Sequence, residues 1–164
     1  MNHAKNTSFD SYAAATNAIT NYTALKNTAA FNLGDAMDKK STITTDMEDL
    51  TNFETARTGV STNLSVASDE IEPTSNAFTE DGAFYNGKVS YSEQLTLMGA
   101  DLQNLITLTD TDIPKLVETI SQKYATNLGV MDGVIQWWTD ERDALGDAID
   151  TIQKDIDDGV YKDK

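Results

Sequence analysis

The side chains of this chain that carry reactive chemistry are few, and their spacing argues against catalysis. The one histidine, His3, stands in a polar N-terminal stretch. There is no cysteine, which removes disulfides, thiolate ligands and cysteine nucleophiles. A zinc site would need carboxylates alone, an uncommon donor set, and a hydrolase triad needs an imidazole held by the fold. Calcium fares little better. An EF-hand loop wants acidic or amide residues five, three and one before its glycine. Before Gly159 these are Lys154, Ile156 and Asp158, and before Gly82 they are Ala77, Thr79 and Asp81. Neither matches, so Asp155, Asp157 and Asp158, or Asp110 with Asp112, offer weak surface calcium binding at most. In Asp140-Glu141-Arg142-Asp143, neighbouring side chains on a helix diverge by about 100°, so the carboxylates share no acid–base pocket. No phosphate-cradling glycine loop and no Gly-x-Ser-x-Gly elbow occurs. The expectation is no catalytic residue, no cofactor and no metal.

What remains is recognition chemistry. Trp137 and Trp138 are consecutive; on a helix one of them faces the core and the other, Trp137, lies off it as a candidate protein contact. Phe84-Tyr85-Asn86-Gly87 places two aromatics before a turn dipeptide, either a plug at the end of a bundle or a recognition tip. Arg142 is the one charge on an otherwise apolar row. It either fixes register against a carboxylate of a facing helix, with Glu54 as candidate, or lifts its head group to solvent.

These residues have to be positioned by helices. Ile113, Val117, Ile120, Tyr124, Leu128, Met131, Ile135, Trp138, Arg142, Leu145, Ile149, Ile152 and Ile156 are spaced by threes and fours throughout. That is a single seam on one long helix, roughly 65 Å at 1.5 Å per residue, and one stripe cannot bury itself. The N-terminal half repeats the spacing at Tyr12, Ala15, Ile19, Tyr22, Ala29, Leu33, Ala36, Ile43, Met47, Leu50 and Leu64, with Lys40, Glu54 and Arg57 intruding. The expected architecture is all-α: an elongated antiparallel bundle whose long N- and C-terminal helices pair in coiled-coil fashion. Within a single domain, 1–164, residues 1–8 are frayed and a helix runs over 9–71, capped by Asp10 or Ser8, with a break near 34–45. Pro73 ends it. Residues 73–90 are irregular or a β-hairpin, since Asn-Gly suits a type I′ turn or a bend between helices. A third helix over 90–108 turns Leu95, Met98, Leu102, Leu105 and Ile106 to one side, Thr109–Asp112 breaks it, and the heptad helix fills 112–158. Gly129 and Gly133 predict a close helix approach or a bend, and Gly159 a C-terminal stop.

Net charge is −15, from 12 Lys and Arg against 27 Asp and Glu. Such a chain repels nucleic-acid phosphates and anionic lipid. No apolar leader and no stretch of 18 apolar residues is present, so neither a secretory signal nor stable membrane insertion is expected. The expected partner is another protein or further copies of this chain. Long helix, short irregular middle, long heptad helix resembles type III secretion filament and needle-tip proteins. Tyr85-Asn86-Gly87 followed by Lys88-Val89-Ser90-Tyr91 also resembles the Trp-x-Gly bend of the WXG100 and LXG families, with Tyr in place of Trp. Both resemblances imply a non-enzymatic helical protein that works by assembling, secreted or surface-delivered by a signal-less route. The alternative is a cytoplasmic helical adaptor, secretion chaperone or phage structural accessory.

Overall fold

A computed structural model describes residues 2–85, 87 and 90–162. Helix makes up 85% of it, and no strand occurs among the described residues. Helix α1 runs Tyr12–Ala77, α2 Ser90–Thr107 and α3 Ile113–Asp157, with α2 and α3 joined by a π-helical segment, Leu108–Asp112. The chain divides into two compact units, Met1–Thr44 with Ala125–Lys164, and Thr45–Tyr124; α1 and α3 both run through both. No described helix is long and apolar enough to cross a membrane.

All thirteen seam positions from Ile113 to Ile156 are buried or half-buried. The N-terminal row holds as well, except Tyr12, which points outward. In the first unit small residues bring the helices close: Ala15, Ala18, Ala29 and Ala36 are buried with Leu33, Leu145, Ala148 and Ile152. Ala15, Ala18, Ile152 and Tyr161 form one cluster, with Phe9, Ile19, Tyr22 and Ile156 packed around it. In the second unit Ile71 Cγ2 approaches to 3.0 Å of where a Cβ on Gly99 would stand. Buried Ser75 donates to the Ser92 carbonyl at 3.0 Å.

Several boundaries differ from the sequence expectation, each for a local reason. Helix α1 starts at Tyr12 because Ser11, not Asp10 or Ser8, is the cap: its Oγ accepts from the Ala14 N–H at 3.1 Å. There is no break near 34–45. Gly34 is helical, and α1 runs on through 45–48 without interruption. Pro73 lies inside the helix; it deletes one N–H bond near the end, and tertiary anchoring of Ser75 carries the helix on to Ala77. Thr109–Asp112 does not break the chain direction but widens it, with the Ile113 N–H bonded to the Leu108 carbonyl five residues back. A π segment inserts one residue into the repeat. The inward row Leu95, Gly99, Leu102, Ile106, Thr109 and Ile113 therefore resumes one step later at Val117, and Met98 and Leu105 are turned out. Gly129 and Gly133 are exposed, with nothing within 4 Å of either Cβ position, so they mark no close packing. Gly159 does stop α3, at φ +78°: the Val160 N–H reaches the Asp155 carbonyl and the Gly159 N–H the Ile156 carbonyl, both at 3.0 Å, a Schellman closure.

Candidate interaction surfaces

Residues 2–10 are not frayed. They run as an extended arm in which His3, Lys5, Thr7 and Phe9 are half-buried and their neighbours exposed, the period-two alternation of a strand-like segment lying on a surface. Tyr22 donates to the Asn6 carbonyl at 3.0 Å. Further along, His3 Nδ1 donates to Glu141 Oε2 at 2.7 Å and Lys5 Nζ to Oε1 of the same carboxylate at 2.5 Å. The three side chains are between 12% and 21% exposed. The Lys5 hydrogen bond, then that of His3, and their positive charge hold the Glu141 carboxyl below its ordinary value of 4.5 against the opposing effect of burial. Beside the seam α3 carries a second row, half-buried Trp137, Glu141 and Ala144 with buried Ala148.

Trp137, the candidate contact, stands in that row. It is half-buried, with the His3 ring edge-on at 5.1 Å and Trp138 edge-on at 4.5 Å. Trp138 is half-buried too and lines a cavity of about 240 Å³ with Ala36, Met131 and Val134. An adjoining groove of about 360 Å³ is lined by Lys39, Thr42, Ile43, Asn127, Val130 and Met131. The clue to the arm was in the sequence: Phe9 and His3 are the aromatic rings of an otherwise polar terminus, six residues apart, so both face one side of an extended segment.

Up to Tyr85 the connection after α1 is a series of turns, and the hairpin or bend expected around Asn86-Gly87 falls partly outside the described residues. Gly82 packs so tightly on the helix end that a Cβ there would stand 2.3 Å from the Asn76 and Ala77 carbonyl oxygens, and the Phe84 N–H caps the Ala77 carbonyl at 2.7 Å. Phe78 holds Phe84 and Tyr91, each with ring centroids at 6.0 Å. Phe84 is nonetheless 66% exposed and Tyr85 40%. Gly87 has φ +83°, the left-handed backbone that suits a glycine turn. Asn86, Lys88 and Val89 lie outside the described residues.

Arg142 and Glu54 each pair within their own helix. Arg142 pairs with Asp143 on its own helix, Nη2 to Oδ1 at 2.8 Å, and is partly exposed. Glu54 holds Arg57 through two hydrogen bonds at 2.9 and 3.2 Å. Arg57 is the charge that matters, and the sequence pattern marked it only as an interruption. In the π segment, the residue five beyond Thr109 is Pro114, which has no N–H to give. The carbonyl of buried Thr109 instead accepts from Arg57 Nη1 at 3.0 Å, with Asp110 Oδ1 3.8 Å from the same nitrogen. Ser61 donates to Asp110. A proline five residues after a buried carbonyl, opposite an arginine on a seam, is the signal that would have found this cluster.

The second unit has one further surface. Helix α2 buries no side chain fully. The inward rows are Glu54, Arg57, Ser61, Leu64, Ser68 and Ile71 on α1, facing Leu95, Gly99, Leu102 and Ile106 on α2. The flank on one side of this pair carries Thr58, Ser65, Glu72, Thr96, Gln103 and Asp110, and the Gln103–Ser68 bond at 2.7 Å lies there. The opposite flank carries Phe53, Val60, Ala67, Met98 and Leu105, with exposed Leu116 beyond the π segment. These large side chains are between 46% and 58% exposed. No family model, curated protein or solved structure matches this chain.

Proposed function

We propose that this chain is a non-enzymatic interaction protein that works through its helical surfaces, by binding a partner or assembling with further copies. The observation that carries the reading is the uncovered apolar flank of the second unit, where Phe53, Val60, Met98, Leu105 and Leu116 stay about half exposed. Scattered apolar side chains are ordinary on a protein surface, but a row aligned along a helix pair marks a contact site. The exposed Phe84 and Tyr85 beside Gly87 are a second candidate contact, and Trp137, roofed by His3, is a contact only when the arm lifts. The resemblance in layout to exported filament, needle-tip and WXG100-like proteins, together with the absence of cysteine, supports delivery to the surface or medium by a specialised bacterial secretion system. Fractionation of the native host with affinity capture tests both parts. Protein in the medium or at the surface, holding a specific partner or itself, supports the reading. Protein confined to the cytosol favours the adaptor role, and a monomer that captures nothing removes the function proposed.

A further inference from the structure

The two flanks of the second unit's helix pair differ in kind, and their chemistry specifies an occupant. The helices run antiparallel, as the Ser75–Ser92, Ile71–Gly99, Ser68–Gln103 and Ser61–Asp110 neighbours show. Two antiparallel helices are related by a local two-fold axis across them, so equivalent heptad positions fall on the same side. One side is polar and satisfied across the pair. The other aligns Phe53, Val60 and Ala67 of α1 with Met98 and Leu105 of α2. Two helices with an apolar flank of this kind leave a groove of the width that a third helix fills.

Charge selects the kind of helix. Bordering the apolar row, one step further round each helix, are Asp49, Glu70 and Asp101, all exposed, with no basic residue at the equivalent positions of the pair. The whole unit, residues 45–124, carries fourteen acidic against four basic side chains, a net −10. A second copy would bring a unit of −10 against another of −10, and an anionic membrane would be repelled in the same way. We infer that this flank docks a basic amphipathic helix of a partner protein, its apolar stripe on the Val60–Leu105 row and its Lys and Arg residues against Asp49, Glu70 and Asp101. The inference rests on the interaction role proposed above and gives that role its partner chemistry. From Phe53 to Ala67 the row is about 21 Å long at 1.5 Å per residue, so a helix of about 20 residues covers it.

Fluorescein-labelled designed peptides test it by anisotropy against the full chain: a Leu/Lys amphipathic helix, its Leu/Glu counterpart, and a scrambled Leu/Lys sequence of the same charge without an apolar face. The Leu/Lys helix should bind at least tenfold more tightly than either control, and more weakly as salt rises. Val60→Asp with Leu105→Asp should weaken it at least tenfold, and Glu70→Lys with Asp101→Lys several-fold, with helicity unchanged by circular dichroism. Val60→Thr with Leu105→Gln keeps the test open if the aspartates unfold the unit. Equal binding of the scrambled or acidic peptide, or binding indifferent to these substitutions, overturns the inference. So does a self-association in sedimentation that Val60→Asp with Leu105→Asp dissolves, because a second copy then holds the flank. A native partner lost with Tyr85→Ala but kept by the flank variants removes this surface and leaves the proposed function standing.

Discussion

Replacing Glu141 by Gln should release the N-terminal arm from α3 while leaving the helices in place. The carboxylate accepts two charge-assisted hydrogen bonds, at 2.7 Å from His3 and 2.5 Å from Lys5. Fully buried bonds of this kind contribute about 1.5–3 kcal/mol each and exposed ion pairs about 0.2–1 kcal/mol. With side chains 12–21% exposed, about 1 kcal/mol each is the appropriate value, or about 2 kcal/mol for the clamp. That shifts the local opening equilibrium roughly 30-fold. Lys5 supplies its own assay, since trypsin cuts after it only when the arm is off the surface. When closing outpaces cleavage, the rate follows the open population, so loss of residues 1–5, followed by intact mass, should accelerate about 30-fold in Glu141→Gln. The pH dependence follows from the lowered Glu141 carboxyl. A depressed acid contributes stability that is complete above its ordinary value of about 4.5 and is lost as pH falls through the lower folded value. Trp137 fluorescence should therefore change on acidification below about pH 4.5 in the native chain and not in Glu141→Gln. Cleavage at Lys5 within twofold of the native rate would refute the clamp.

Arg57→Met should cost about 2–3 kcal/mol, because it strands the buried Thr109 carbonyl and leaves half-buried Glu54 without its fork; adding Pro114→Ala, which supplies an N–H in the same turn, should recover at least 1 kcal/mol in a chemical-denaturation double-mutant cycle, and strict additivity would show that the two residues do not share that carbonyl. Gly129→Ala and Gly133→Ala should each raise stability by about 1 kcal/mol, since neither Cβ meets anything; thermal melts that fall instead would reveal a surface needing close approach. Trp138→Ala should lower stability by about 2 kcal/mol, less than a fully buried tryptophan because the ring borders an open cavity. Trp137→Ala, which removes ring contacts of about 0.5–1.5 kcal/mol, should instead show mainly as faster trypsin cleavage at Lys5. Equal losses of global stability for the two would contradict the separate roles of seam and arm.

The sequence by itself determined the helices and the face by which α3 packs. A three/four spacing sustained from Ile113 to Ile156 has one geometric solution, and all thirteen positions turn inward. Gly159 announced the closing turn of α3, because that effect acts within a few residues along the chain. Tertiary structure decided everything that depends on which carbonyl or side chain has a partner elsewhere. Pro73 is a stop signal locally, but Ser75 is anchored 17 residues away, and the helix continues past it. Thr109–Asp112 looks like a break, but Arg57, 52 residues distant from Thr109, satisfies the carbonyl that a π turn exposes; the row facing α1 runs through Gly99 and Ile106, which leaves Met98 and Leu105, expected in the core, on the surface. The polar terminus looked free because its six-residue aromatic spacing is too short to register as a period. Only Glu141, more than 130 residues on, gives His3 and Lys5 a common anchor and covers Trp137. Hydrophobic period is a local property that one chain segment can display alone, whereas the satisfaction of a buried polar group is a property of a pair, and the second member is found only in the fold.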